Sequence, residues 1–355
     1  MYDDYYNLTG RPFQLTPDPK YYFQSQSHDQ IIDYLSGDVK TPDGFFLVTG
    51  GIGTGKTTLA RHLVEMLDDS NYACGMMSNT RVEGEDLIVT MLTAFDLDSR
   101  AGNMDSLLNT LREFGQKLQA GGRQAVLIID EAQNLSNSAL EQLRSALLGE
   151  DGAPLLMHCF LIGQPGLQER ISTDASLKPF ADSVSVTCQL KALTAEESTG
   201  YLMHRLRMVG WDNNPVFTDE TLAALHSNSR GIPRQLNTMC GRLLLYGALE
   251  ELQELDLDAV ENVTEGLAEE TKLNASHRER ITSLAHSGVS NASMGGANNA
   301  VSPLELSGQK IAESVQADVV GEADGRLDKL EGMMKSQDET LKQLTSLMTQ
   351  FAQKK

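Results

Sequence analysis

Phe45-Phe46-Leu47-Val48-Thr49-Gly50-Gly51-Ile52-Gly53-Thr54-Gly55-Lys56-Thr57-Thr58 is the stretch on which the fold turns. An apolar strand feeds a glycine-bearing bend, and Thr58-Leu59-Ala60-Arg61-His62-Leu63 continues with helical periodicity. Gly50 to Thr57 fits the spacing Gly-x-x-x-x-Gly-Lys-Ser/Thr of a phosphate-binding loop. Glycines let the chain wrap closely around phosphate oxygens and aim successive N–H groups inward. Lys56 supplies a compact cation for β- and γ-phosphates, and Thr57 supplies a hydroxyl for Mg²⁺. The helix that starts here adds the partial positive charge of its N-terminus. Gly50, Gly51, Ile52, Gly53, Thr54, Gly55, Lys56, Thr57 and Thr58 are therefore the candidate nucleotide cradle. A dinucleotide fingerprint is excluded, because Lys56 stands where its third glycine would be.

A second half of the site follows downstream in Ala125-Val126-Leu127-Ile128-Ile129-Asp130-Glu131. A buried apolar strand ending in two acids implies a use for them, since unpaired buried carboxylates are costly. Asp130 is expected to join Thr57 in holding Mg²⁺, through water, and Glu131 to polarise the water that attacks the γ-phosphate. No Asn-Lys-x-Asp guanine-reading motif occurs, so the expected nucleotide is ATP. Gln164 follows the strand Phe160-Leu161-Ile162-Gly163 and is a candidate contact to the γ-phosphate or the water; the alternative is a turn residue before Pro165. Arg234, in Gly231-Ile232-Pro233-Arg234, is a candidate to reach back to the γ-phosphate and couple a lid to nucleotide state. Its alternative is an exposed helix arginine. Glu131, Lys56, Gln164 and Arg234 make up the catalytic set, with Thr57 and Asp130 on the metal.

Outward from these motifs the chain divides. Residues 1–40 are turn-rich and aromatic, with Pro12-Phe13, Pro17-Asp18-Pro19 and Tyr21-Tyr22-Phe23. Residues 41–190 alternate apolar runs with helical periodicity, which predicts an α/β, three-layer αβα domain with a parallel sheet. Its strands are expected at Phe45–Thr49, Tyr72–Met77, Ala125–Ile129, Met157–Ile162 and Val184–Leu190, with helices at Lys56–Leu67, Met104–Ala120 and Ser136–Leu148. Residues 191–272 read as an α-helical lid with helices Thr194–Val209, Thr218–Ser227, Pro233–Leu249 and Asp256–Ala268. Thr194 and Thr218 precede acids where free N–H groups point, and Pro233 suits a first turn. Residues 273–322 are expected to be a flexible linker; 281–304 carry no charge and are rich in Ser, Asn, Gly and Ala. Residues 323–355 place Leu327, Leu330, Met334, Gln337, Leu341, Leu344, Met348 and Phe351 on heptad a and d positions, which suggests coiled-coil or partner-helix pairing. An amphipathic helix docked on its own domain is the alternative.

The 355 residues carry 49 Asp and Glu against 29 Lys and Arg, a formal net charge of −20, which argues against a broad footprint on nucleic acid. No run approaches the ~18–20 apolar residues of a membrane span, and MYDDYYNLTG lacks a signal-peptide pattern. The four cysteines and seven histidines show no paired ligand spacing. The expected setting is cytoplasmic, with peripheral association at an inner membrane.

Pro12-Phe13, Thr16-Pro17-Asp18-Pro19, the phosphate loop, Asp130-Glu131-Ala132-Gln133-Asn134-Leu135, Leu161-Ile162-Gly163-Gln164-Pro165 and Gly231-Ile232-Pro233-Arg234 occur in that order. Together they resemble the ExeA-type (general secretion pathway protein A-like) AAA+ ATPases over residues 1 to about 270. Val209-Gly210-Trp211 and Arg242-Leu243-Leu244-Leu245-Tyr246-Gly247 look most like the ATPases associated with exosortase/PEP-CTERM exopolysaccharide loci. The resemblance implies an AAA+ fold, Mg-ATP hydrolysis, assembly into homo-oligomers, and an N-terminal segment near adenine with Phe13 or Phe23 packing on it. It also implies service to a cell-envelope assembly in secretion or exopolysaccharide export, with an envelope partner engaged through the C-terminal helix. One departure is Ser183-Val184, where the family commonly has an arginine able to act on a neighbouring subunit's nucleotide; Arg170 or Lys178 is the candidate substitute. Without such a finger, turnover is expected to be slow. The competing readings are a DNA-associated ATPase of the transposition or replication-loader type and a nucleotide-dependent scaffold.

Overall fold

The computed structural model describes residues 2–35, 44–68, 72–100, 103–147, 157–270 and 272. They belong to one compact unit, Met1–Arg278. The expected linker at 273–322 and heptad helix at 323–355 lie outside the described residues.

Five parallel strands run β1 (Phe45–Gly50), β2 (Tyr72–Met77), β3 (Gln124–Ile129), β4 (Met157–Gly163) and β5 (Val184–Leu190), in the order β2-β3-β4-β1-β5. β1 and β4 are buried throughout and β3 at all but its first residue, as strands covered on both faces must be. The edge strand β5 instead exposes Ser185, Thr187 and Gln189.

Side-chain alternation sorts each strand onto two faces. Phe45, Leu47, Leu127, Ile129, Cys159 and Leu161 meet α4 (Glu85–Ala94), α5 (Met104–Ala120), α6 (Asn137–Leu147), α7 (Pro165–Thr173) and α8 (Lys178–Asp182). Phe46, Val48, Val126, Ile128, Phe160 and Ile162 meet Ile31 of α2 (Gln26–Leu35) and Leu59, Ala60, Leu63 and Leu67 of α3 (Lys56–Asp68). Sandwiching the sheet this way gives three layers, helix-sheet-helix, with strand positions within a residue of those expected.

After β5 come α9 (Ala195–Arg207), β6 (Val216–Phe217), α10 (Asp219–Ser229), α11 (Pro233–Leu249), β7 (Glu254–Leu255) and α12 (257–270). Thr194 caps α9 reciprocally: its Oγ1 accepts from Glu197 N at 3.2 Å while its own N–H donates to Glu197 Oε2 at 2.8 Å. Ser198, Tyr201, Leu202, Arg205 and Leu206 recur at helical spacing as the buried face of α9. The region is not purely helical as expected, because β6 and β7 pair in parallel through Val216–Glu254 and Phe217–Leu255.

The first part of the N-terminal segment also departs from expectation. Tyr6, Leu8, Phe13 and Tyr21 are buried in the helical core with Leu202, Leu206, Leu236, Leu243 and Val260. Tyr6 Oη donates to the Leu252 carbonyl at 3.0 Å. Short helix α1 (Tyr2–Tyr5) thus belongs to the lid, and Phe13 packs there rather than on a nucleotide base. Replacing Phe13 with Ala empties a core site that is 5% exposed, so a loss of about 3–5 kcal/mol is expected in urea unfolding; a loss below about 1 kcal/mol would put the ring elsewhere.

Candidate functional site

A cleft of about 430 Å³ opens where the phosphate loop, the tips of β3 and β4, the lid and residues 14–23 converge. That volume suits a small organic ligand. The loop runs from β1 into α3 with Gly53 at φ 86° and Gly55 at φ 96°, a region that disfavours side chains. A Cβ on Gly53 would also come within 2.7 Å of Arg234 Cβ, because Arg234 N donates to the Gly53 carbonyl at 3.1 Å. The start of α11 is therefore seated on the loop.

Lys56 is 7% exposed, and its Nζ donates to the Gly50 carbonyl at 3.0 Å and the Gly51 carbonyl at 2.8 Å. Burial pulls its pKa down, and the carboxylates of Glu131 and Asp130 oppose that pull. Thr57 Oγ1 donates to Asp130 Oδ2 at 2.7 Å, joining the loop to the tip of β3. Asp130 is 3% exposed, and its Oδ1 accepts from Glu131 N at 2.9 Å.

Glu131 adopts the left-handed region at φ 54°, which turns the chain sharply off β3. Its carbonyl accepts from Thr80 Oγ1 at 3.1 Å. Its Oε2 accepts from Gln133 Nε2 in a short hydrogen bond, and Gln133 Oε1 accepts from Gln164 N at 3.1 Å. The amide of Gln133 thus ties the second acid of β3 to the end of β4. Apolar periodicity gives no sign of this, since a 3₁₀ turn over Ala132–Asn134 is needed to fold Gln133 back beside Glu131.

The cleft brings together Ile52, Gly53, Thr54, Gly55, Lys56, Thr57, Thr58, Glu131, Gln164 and Arg234 along its wall. Gly50 and Gly51 present carbonyls to Lys56, and Asp130 lies behind Thr57. The expected site residues thus lie along this cleft or, for Gly50, Gly51 and Asp130, directly behind its wall. Arg170, one candidate substitute, donates from Nη1 and Nη2 to the carbonyls of Gln133 at 3.3 Å and Leu135 at 2.8 Å, so it braces the turn after β3 within its own chain. Ser183 Oγ donates to Phe180 O at 2.6 Å, and Lys178 is exposed at the start of α8.

The N-terminal wall is held by Arg61 Nη1, which donates to the Pro17 carbonyl at 2.6 Å, and by Tyr22, stacked on His62 at 3.7 Å and 11°. Phe23 lines the cleft with its ring edge-on to Tyr201. His28 Nδ1 accepts from Ser25 N at 3.1 Å. Among the described residues no trio of His, Cys, Asp or Glu forms a metal cage, and no helix is long and apolar enough to cross a membrane.

Residues 39–171 match the AAA domain family. General secretion pathway protein A of Aeromonas hydrophila is 33% identical over 247 residues, which is 69% of this chain and 44% of that protein. The chain thus spans less than half the length of this curated relative. Cdc6p from Pyrobaculum aerophilum shares the fold at TM-score 0.54 and 14% identity, covering 74% of this chain and 70% of that one. The ADP form of ORC2 from Aeropyrum pernix does so at TM-score 0.51 and 14% identity, covering 72% of each.

Burial pushes His28 down to about 4 against the opposing charges of Asp29 and Glu197, so the ring is neutral in the fold near pH 7. The unfolded ring takes up a proton near pH 6.5, so this contribution is full above that value and is lost as pH falls toward 4. The loss is expected to reach on the order of 3 kcal/mol, and His28→Gln should flatten the drop in denaturant stability between neutral and acid pH.

Proposed function

We propose that the protein, whose residues 39–171 match the AAA domain family, is an ATPase that binds Mg-ATP in this cleft and hydrolyses it to drive a cell-envelope assembly. The observation that carries the chemistry is the Thr57–Asp130 hydrogen bond at 2.7 Å, with Glu131 next in the chain. It puts a hydroxyl, a buried carboxylate and a second acid at the mouth of a glycine-bearing loop. Thr57 and Asp130 are hard oxygen donors, which suits Mg²⁺ held by few protein ligands and completed by phosphates and water. When bound, Mg²⁺ neutralises charge on the β- and γ-phosphates.

The protein's own groups divide the remaining work. The loop N–H groups and Lys56 grip the β- and γ-phosphates. Glu131 orients the attacking water and draws its proton, and Gln133 holds that carboxylate in place from the side. Gln164 senses the γ-phosphate from the tip of β4. Arg234, whose backbone rests on Gly53, carries the state of the phosphate end into the lid.

Likeness to General secretion pathway protein A supports secretion as the process served, and exopolysaccharide export rests on the Val209-Gly210-Trp211 and Arg242–Gly247 stretches alone. In this reading the chain works as a homo-oligomer peripheral to the membrane, and the segment 323–355 engages an envelope partner. A second reading, a nucleotide-dependent scaffold with slow turnover, is favoured by one observation: Ser183 and Arg170 are both committed within their own chain.

Lys56→Ala is expected to abolish the heat of Mg-ATP binding in calorimetry; wild-type affinity would refute the cradle. Glu131→Gln should keep that affinity while turnover falls by ~10²-fold or more. Gln133→Leu and Gln133→Glu, neither of which can donate to Glu131, should lower kcat by roughly 10- to 100-fold with KM little changed. Parallel changes in kcat and KM would assign Gln133 to binding instead.

A further inference from the structure

Arg205 is a buried cation without a counter-ion among the described residues. It lies near the end of α9 at 5% exposure, and none of the ion pairs among the described residues includes it. Burial of an unpaired charge is expensive unless something meets it. Part is met by aromatic faces: the guanidinium carbon sits 4.7 Å from the Tyr21 ring centroid and 5.5 Å from that of Tyr201. Nη1 donates to Tyr201 Oη at 2.6 Å, but Nε is buried with no hydrogen-bond partner.

This side chain lines the cleft together with Asn237. Tyr201 Oη donates to Asn237 Oδ1 at 2.9 Å, which occupies the amide oxygen and leaves the NH₂ group as a donor. The pair also has a definite place along the cleft. Arg234 N on Gly53 O marks the phosphate end. Asn237 follows three residues later on the same face of α11, about 4.5 Å further along its axis. Arg205 is joined to Asn237 through Tyr201, whose hydroxyl accepts from the one and donates to the other.

Resting on the nucleotide reading of the cleft, we propose that Arg205 and Asn237 form a nucleoside-reading pair, donating N–H groups to acceptor atoms of the base or the ribose. The bound nucleoside adds acceptors beside a buried cation that otherwise meets aromatic faces and one phenol oxygen. It engages α9 and α11, already joined through Tyr201 and Asn237, at one point, so the lid responds to the nucleoside as well as to the phosphates.

The test is calorimetric titration of the full chain with Mg-ATP and, separately, with Mg-tripolyphosphate, which has phosphates but no nucleoside. Arg205→Lys keeps a cation between the two tyrosines and loses the donor fork. It should bind Mg-ATP ~10-fold or more weakly while tripolyphosphate binding stays within about 2-fold of wild type. Asn237→Ser keeps an acceptor for Tyr201 and removes the NH₂ group, and it should discriminate the same way, which covers the case of an Arg205→Lys chain that does not fold. Repeating the ATP arm with 2′-deoxy-ATP and with inosine triphosphate separates the sources. A variant defect that vanishes for the deoxy ligand assigns the contact to the ribose, and one that changes with the inosine ligand assigns it to the base. Equal losses for ATP and tripolyphosphate, or no loss for ATP, would overturn the pair. If wild type takes ATP but no tripolyphosphate, the size of the ATP loss alone decides. If wild type binds neither ligand, the nucleotide reading itself fails.

Discussion

The hydrogen bond from Thr57 to Asp130 spans two strands that are not neighbours. β4 lies between β1 and β3 in the sheet, so the loop after β1 has to reach over the tip of β4 to meet the acid at the end of β3. Parallel register makes this possible, since Leu47 is level with Leu161 and Leu127 with Cys159, and all three strands end at the same rim. Ligands gather at that rim in open α/β sheets because strand C-termini and helix N-termini meet there. Gln133 adds a second tie between neighbours, linking the turn after β3 to the residue after β4. The site is thus braced once across its middle strand and once beside it.

The lid and the sheet are coupled through residues that lie between them in space and far from them in sequence. Glu197, in the first turn of α9, accepts from Gln26 N at 2.9 Å, so the start of α2 is tied to the start of the lid. Arg61, on α3, grips the Pro17 carbonyl. Residues 14–28 therefore form a strap with contacts on both sides of the cleft, and a nucleotide held there touches the strap, the loop and α11 together. Binding energy distributed in this way favours one arrangement of the lid over others.

Much of the architecture was legible because it is local. Runs such as Ala125–Ile129 and Met157–Ile162 announce fully covered strands, and the loop motif carries its own geometry. Thr194 and Glu197 give a capping box at the expected place. What stayed hidden depends on distant partners. Val216-Phe217 is too short to read as a strand until Glu254-Leu255 pairs with it. Phe13 looks free to meet a base until the helical core closes over it. Arg205 looks like an ordinary basic residue at a helix end until Tyr21 and Tyr201 are seen to enclose it. Arg170 resembled a free arginine because nothing in its spacing points to the carbonyls of residues 133 and 135.

The Tyr6–Leu252 hydrogen bond joins positions 246 residues apart. During synthesis, these aromatic residues leave the ribosome well before their core partners in α9, α11 and α12, which are among the last of this unit to appear. Contacts of such sequence separation form late and leave apolar surface uncovered meanwhile. Tyr2, Tyr5, Tyr6 and Phe13 must therefore wait, uncovered, through the making of the whole sheet.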